Sequence, residues 1–168
     1  MTVISSKQNN SLMLAKDLHC CVIIPTYNNS GTLQSVIDDV SQYIADVIVV
    51  NDGTTDAVLS LSASNPAVRI ISYQPNRGKG YALKQGFKYA LSSGFRYAIT
   101  LDSDGQHSGS DILFFLNKIQ QSPDSLIIGC RSLNQENMPG RNTFANRFSN
   151  FWYWLQTGIR LSDTQSGF

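Results

Sequence analysis

The 168-residue chain has few cysteines, almost no net charge and no long hydrophobic run. Its three cysteines, Cys20, Cys21 and Cys130, lack C-x-x-C spacing. An odd count without ligand spacing reads as free, reduced thiols buried in a core rather than disulfides. Thirteen basic and twelve acidic residues leave a formal charge of +1, which argues against a general polyanion binder and disfavours a nucleic-acid partner. No apolar run reaches the roughly 18 residues of a membrane span. Residues 1–18 are polar and lack the apolar stretch of a secretory signal. The expectation is a cytoplasmic chain with a polar N-terminal segment, 1–18, and one domain, 19–168. The hydrophobic fraction of 42% suits a soluble globular domain whose core needs no disulfides. The chain stops at Ser166-Gly167-Phe168, straight after a helical pattern, and is expected to be part of a longer protein, incomplete at its C-terminus.

Five short runs rich in Val and Ile predict buried parallel strands: Cys20 to Pro25, Val47 to Asn51, Val68 to Tyr73, Tyr97 to Leu101 and Leu126 to Cys130. They are nearly continuous rather than alternating, the pattern of strands covered on both faces. Helical faces lie between them. One carries Leu33, Val36, Ile37, Val40 and Ile44; a second carries Leu83, Phe87, Ala90 and Leu91, with Gly94 as a stop; a third carries Ile112, Phe115, Leu116 and Ile119, with Ser108 and Ser110 as cap candidates. A last helix is expected around 144–159, and a weak helical signal covers 56–66. Alternating strands and helices give an α/β fold with a mostly parallel sheet. Ligands of such sheets bind beyond the carboxyl ends of the strands.

Those ends carry the chemistry. Asp102 and Asp104 follow an apolar strand, one residue apart. Two such anions repel unless a cation lies between them or one is protonated. Hard oxygens suit Mg²⁺ or Mn²⁺, with Gln106 able to add a third oxygen. The alternative is a solvated Asp-Ser-Asp-Gly turn. Asp52 ends the second strand, where its carboxylate can accept from a base N–H, although Asn51 and Gly53 also make a good turn. Tyr27, after the first strand, offers a flat face for a base; a buried core tyrosine is the alternative.

Asn76-Arg77-Gly78-Lys79-Gly80 opens the second helix. Its glycines permit close backbone approach, the helix start favours anions, and Arg77 and Lys79 add positive charge. It is neither a P-loop, since G-x-x-x-x-G-K-[ST] is absent, nor a dinucleotide fingerprint, since Leu83 fills the sixth position after the third strand. Arg131, Arg141 and Arg147 suit phosphate oxygens or stand solvated. Aromatics beside these arginines give 144–159 two readings, a peripheral membrane contact or packing against further chain. His19 and His107 have no zinc or triad spacing, and His107 reads at most as a support to the site.

In order, I-P-T-Y-N (Ile24 to Asn28), V-N-D-G-T-T-D (Val50 to Asp56), N-R-G-K-G-Y-A-L (Asn76 to Leu83) and D-S-D-G-Q-H (Asp102 to His107) resemble family-two inverting glycosyltransferases of the GT-A fold. Within these the chain is similar to dolichol-phosphate mannosyltransferases and bacterial polyprenyl-phosphate glycosyltransferases. G-C-R (Gly129 to Arg131), P-G-R-N-T-F-A-N (Pro139 to Asn146) and D-T-Q-S-G-F (Asp163 to Phe168) fit the same branch. The resemblance implies that Pro25, Tyr27, Asn28, Asp52 and Asp56 hold the nucleoside of a UDP- or GDP-sugar. It places Lys79 near the diphosphate or base, and Asp102, Asp104 and Gln106 on the metal. Arg131 and Arg141 would grip a lipid-phosphate acceptor, and Asp163 would sit near the reacting centre. Two departures stand out: Ser108 follows His107 where the branch often has proline, and the family pattern continues with an arginine after Gly-Phe, where this sequence has no residue.

The implied reaction is direct displacement at the anomeric carbon with inversion, helped by metal charge on the leaving diphosphate. Asp104 and Asp163 are its catalytic candidates, Asp163 serving as base if the acceptor is a hydroxyl. Two rivals stand beside it. A sugar nucleotidyltransferase usually carries a Gly-rich basic loop after the first strand, where this chain has Thr26-Tyr27-Asn28-Asn29-Ser30. A non-catalytic nucleotide-sugar-binding domain would keep the site without transfer.

Overall fold

Strands that are apolar throughout need cover on both faces, and this requirement sets the architecture. The computed structural model describes residues 6–54 and 67–129. In chain order these form α1 (Ser6–Asp17), β1 (Cys20–Thr26), α2 (Ser30–Val40), β2 (Val47–Asp52), β3 (Val68–Tyr73), α3 (Lys79–Ser92), β4 (Tyr97–Thr100) and α4 (Asp111–Gln121). The chain divides into two compact units, Met1–Ile127 and Ile128–Phe168. All eight elements belong to the first, and only residues 128 and 129 of the second are described. The 56–66 signal falls wholly on 55–66, and the 144–159 helix falls wholly on 130–168, both outside the described residues.

The four strands are all parallel, in the order β3-β2-β1-β4. In register, Ile23 of β1 faces Ile48 of β2 on one side and Thr100 of β4 on the other. The path runs one way from β1 to β2 to β3, then returns across the sheet to β4. Right-handed crossovers therefore put α2 and α3 on opposite faces. Every residue of β1 and β2 is buried, as their unbroken apolar runs require. Among the described residues β3 and β4 are the edges, and most of their residues are partly or fully exposed. The expectation of cover on both faces thus holds for the two inner strands and not for the outer two. An edge strand has a neighbour on one side only, which hydropathy alone does not reveal.

The run expected as a fifth strand is not one over its described residues. Positions 126–129 carry no strand assignment, and Leu126 is 87% exposed. An apolar run becomes a strand only where a ladder receives it, and the described sheet ends at β4.

Helices α2 and α4 follow their predicted faces: Leu33, Val36, Ile37 and Val40 are buried, with Ile44 buried just past the end of α2, as are Ile112, Phe115, Leu116 and Ile119. Ser110 stands at the α4 cap but makes no side-chain cap bond; its N–H donates to Ser108 Oγ. The polar N-terminal segment contains α1, which packs against β1 and α4 and buries Ser11 and Ala15. His19 closes it with φ 53°, and its carbonyl accepts from Arg96 N at 2.8 Å.

Helix α3 departs from its predicted face. Its buried residues are Ala82, Gly86 and Ala90, four apart, lying against Cys21, Ile23, Ile48 and Val50. Leu83 is partly buried, whereas Phe87 and Leu91 are exposed. The small residues allow the helix axis to approach the sheet. A β-carbon at Gly86 would fall 2.5 Å from Ile23 Cγ2 and 3.2 Å from Val50 Cγ2. Gly86→Ala is therefore expected to cost about 1–3 kcal/mol of stability by overpacking, and Leu91→Ser to stay within about 0.5 kcal/mol. Paired urea unfolding curves check both; equal costs would refute this packing.

Cys20 and Cys21 are free and buried, as expected. Burial pushes both thiols up to about 12 from the ordinary 9.0, helped by the negative charge of Asp46. Below pH 9 folded and unfolded chains both keep these protons. Above it the unfolded thiols ionise while the folded ones stay neutral, so stability falls as pH rises from 9 toward 12. The expected slope, on the order of 1 kcal/mol per pH unit per thiol, should shrink in Cys20→Ala and Cys21→Ala, measured as unfolding free energy against pH.

Candidate active site

The strand order reverses between β1 and β4, and there the loops leaving their carboxyl ends part and open a crevice. A pocket of about 430 Å³ occupies it, within the size range of small-ligand sites. The end of β1 contributes Pro25, Thr26 and Tyr27, and the end of β2 contributes Asp52. The approach to α3 contributes Asn76 and Gly78, and α3 itself Lys79 and Ala82; Asp102, Ser103 and Asp104 follow β4.

Tyr27 is 52% exposed at the pocket, which removes the core-tyrosine alternative. Asp52 is only 3% exposed. Its Oδ1 accepts from Arg77 N at 2.8 Å, and its Oδ2 and carbonyl each accept from Asn76 Nδ2 at 3.0 Å. A buried carboxylate needs such donors, so Asp52 fastens the 75–78 loop to the end of β2. The loop comes so close that only glycine fits beside it. Gly53 has φ 73°, and a β-carbon there would overlap Asn76 N and lie 2.8 Å from the Pro75 carbonyl carbon.

Further bonds join the other loops. Thr54 Oγ1 donates to Asn28 Oδ1 at 2.9 Å, and Thr54 N donates to Asn51 Oδ1 at 2.9 Å. Asn29 Nδ2 and Thr32 Oγ1 donate to the Ser103 carbonyl at 2.8 and 2.6 Å. Asn28 therefore braces the β1 and β2 loops and does not line the pocket. The sequence motifs include Thr54, Asn76 and Ser103 but assign no individual role to them, nor to Asn29 or Thr32; short polar loop residues look alike until their partners are known.

Helix α3 begins at the pocket. Gly78 precedes it with φ 88° and supplies no side-chain cap, so a helix start without a side-chain cap stands where Gly78 and Lys79 line the pocket, and helix starts favour anions. Lys79 Nζ lies 2.6 Å from Asp102 Oδ1. Arg77 turns away: its Nη1 donates to the Tyr81 hydroxyl at 2.8 Å, and its guanidinium stacks 4.2 Å from that ring's centre.

Asp102 and Asp104 share the pocket wall. Asp104 Oδ1 accepts from Gln106 N at 2.9 Å. Gln106 is exposed and off the pocket lining, as is partly buried His107, so the third oxygen expected from Gln106 is not brought to the site. The remaining donor set, two carboxylates on the pocket wall, fits Mg²⁺ or Mn²⁺, which are held by one or two carboxylates plus substrate phosphates. The cationic nitrogen already resting on Asp102 marks where positive charge is favoured. Asp56, Arg131, Arg141 and Asp163 lie outside the described residues.

The family model for glycosyl transferase family 2 matches residues 21–165. The chain belongs to glycosyl transferase family 2. Among members, it is 28% identical to UDP-N-acetylglucosamine–dolichyl-phosphate N-acetylglucosaminyltransferase of Methanococcus voltae, over 87% of this chain and 66% of that one. It is 29% identical to human dolichyl-phosphate beta-glucosyltransferase, over 88% of this chain and 52% of that one. The chain thus spans about half to two thirds of these curated relatives. Glucosyl-3-phosphoglycerate synthase from Mycobacterium tuberculosis, solved in complex with Mn²⁺ and UDP-glucose, is 18% identical and superposes with a TM-score of 0.59, over 97% of this chain and 59% of that one. The shared architecture is the GT-A fold that the motifs imply.

Two glycines at positive φ separate strain from collision. Gly53→Ala meets backbone and is expected to lose more than about 2 kcal/mol, strain and overlap together. Gly105→Ala, at φ 77° with its nearest neighbour 4.0 Å away, should lose only the strain, about 1 kcal/mol. Thermal melts of the two variants side by side test the close approach; a Gly53→Ala protein as stable as Gly105→Ala would disprove it.

Proposed function

We propose that this chain forms the donor half of a metal-dependent inverting glycosyltransferase that moves a sugar from a UDP- or GDP-sugar to a polyprenyl-phosphate acceptor. The observation that carries the reading is the convergence of Asp102, Asp104 and Lys79 with Tyr27 and Asp52 in one crevice at the strand-order reversal. The dolichyl-phosphate acceptors in the relatives' names support the acceptor class.

Each part has a physical task. The exposed ring of Tyr27 offers a stacking face to the base. Asp52, held rigid by Asn76 and Arg77, keeps free lone pairs for a base N–H. The first turn of α3 and Lys79 meet the diphosphate. Asp102 and Asp104 would hold the divalent ion, which when bound neutralises charge developing on the leaving diphosphate. Arg131 and Arg141 are assigned to the acceptor phosphate, an anion that attacks without a strong base. With a hydroxyl acceptor, Asp163 would take the proton. A lipid-phosphate acceptor would bring the protein to the cytoplasmic face of a membrane as a peripheral protein. Among the described residues no helix is long and apolar enough to cross one.

Calorimetric titration with UDP- and GDP-sugars, with Mn²⁺, Mg²⁺ or chelator, tests the donor site. One nucleotide sugar should bind only with metal. Asp102→Ala and Asp104→Ala should each weaken it about tenfold or more, since a lost charge-assisted contact costs roughly 1.5–3 kcal/mol. A folded chain that binds neither with either metal would overturn the reading.

A further inference from the structure

We propose that Lys79 makes metal binding at Asp102 conditional on a diphosphate, so that the cation and the nucleotide enter as a coupled pair. The proposal rests on the donor-site reading and adds an order of events to it. Lys79 is the first residue of α3, and Asp102 lies just past β4. The two meet across the pocket at 2.6 Å, Nζ to Oδ1. That is a close ammonium–carboxylate contact, and it puts the ammonium on an oxygen that would be needed to hold a divalent ion. The two cations cannot share that oxygen at full strength, and side by side they repel.

The lysine is free to leave. Its side chain is 56% exposed while that of Asp102 is 27% exposed, and the four-carbon stem turns easily. Among the described residues of the pocket, the anions around it besides Asp102 are Asp52, which is buried under protein N–H groups, and Asp104. Asp104, the other exposed carboxylate of the pocket, is itself a metal-ligand candidate. A diphosphate at the start of α3 supplies a further anion. Lys79 then exchanges a carboxylate for phosphate oxygens, and Asp102 is released to the metal. Arg77 does not take over either role, since Tyr81 holds its guanidinium by a hydrogen bond and by stacking. By linkage the coupling is reciprocal: the diphosphate raises metal affinity by the factor by which metal raises diphosphate affinity.

The competing explanation is an ordinary half-exposed salt bridge with no effect on ligands. Mn²⁺ binding, followed by the EPR signal of the free ion with and without UDP or GDP, separates the two. Wild type should bind Mn²⁺ alone weakly and much better with the nucleotide. Lys79→Met should bind Mn²⁺ alone about tenfold tighter and gain less from the nucleotide, within the roughly 5–150-fold range of such couplings. Lys79→Gln should behave as Lys79→Met does, and matching thermal melts will show that both variants fold. Unchanged or weaker binding of Mn²⁺ alone in both folded variants overturns the proposal. If wild type binds neither nucleotide, the donor reading fails, while the Mn²⁺-only arm still decides what Lys79 does at Asp102.

Discussion

The pairing of β1 with β2 on one side and β4 on the other, all parallel, is the constraint from which the site follows. Parallel pairing points every strand's carboxyl end the same way, so four separated sequence segments reach one edge. The reversal of direction at β1 then splits the loops that leave this edge. Both depend on the burial of β1 and β2 on two faces, which their unbroken Val and Ile runs make favourable and which α2 and α3 supply from opposite sides.

Charge in the crevice is divided between a carboxylate held by rigid donors and two that are held less firmly. Asp52 is buried, and both its oxygens already receive protein N–H groups. It acts first as a fastener, holding the 75–78 loop against Gly53. Asp102 and Asp104 are less enclosed: one rests on a movable ammonium, the other accepts the backbone N–H of Gln106 in its own turn. A carboxylate with rigid backbone partners builds structure; one whose partner is a flexible cation can exchange it. That difference sets Asp102 apart from Asp52, while Asp104 keeps the bond of an exposed turn.

Much of this was legible in the sequence, and the misses share a cause. Periodicity marks where large apolar side chains are buried, so it located β1, β2, α2 and α4 through their Val, Ile and Leu. It says little about small residues. It passed over α1, which packs through Ser11 and Ala15, and assigned α3 the face of Leu83, Phe87, Ala90 and Leu91, of which Ala90 is buried and Leu83 partly so, when the helix seats through Ala82, Gly86 and Ala90. The run at 126–129 failed for another reason: β propensity does not supply a partner strand. At the site, charged residues at strand ends announced themselves. The bonds from Asn28, Asn29, Thr32 and Asn76 did not, because a short polar side chain in a loop reads the same whether it bonds to water or braces a neighbour.

The small-residue face of α3 connects the fold to the chemistry. A leucine at position 82 or 86 would lift the helix off β1 and β2, as the overlap of even a methyl at Gly86 with Ile23 implies. Lifting the helix would raise its first turn from the crevice, and with it Gly78, Lys79 and Ala82, all of which line the pocket. The reach of Lys79 to Asp102 is therefore set partly by Gly86, two turns along the helix and outside the site. A residue that stabilises a helix through a large buried side chain would have worked against this position. The sequence places alanine and glycine there instead, giving up buried area for closeness. The exposed Phe87 and Leu91 follow from the same arrangement: with the small residues turned to the sheet, the larger ones at the next positions are left facing outward.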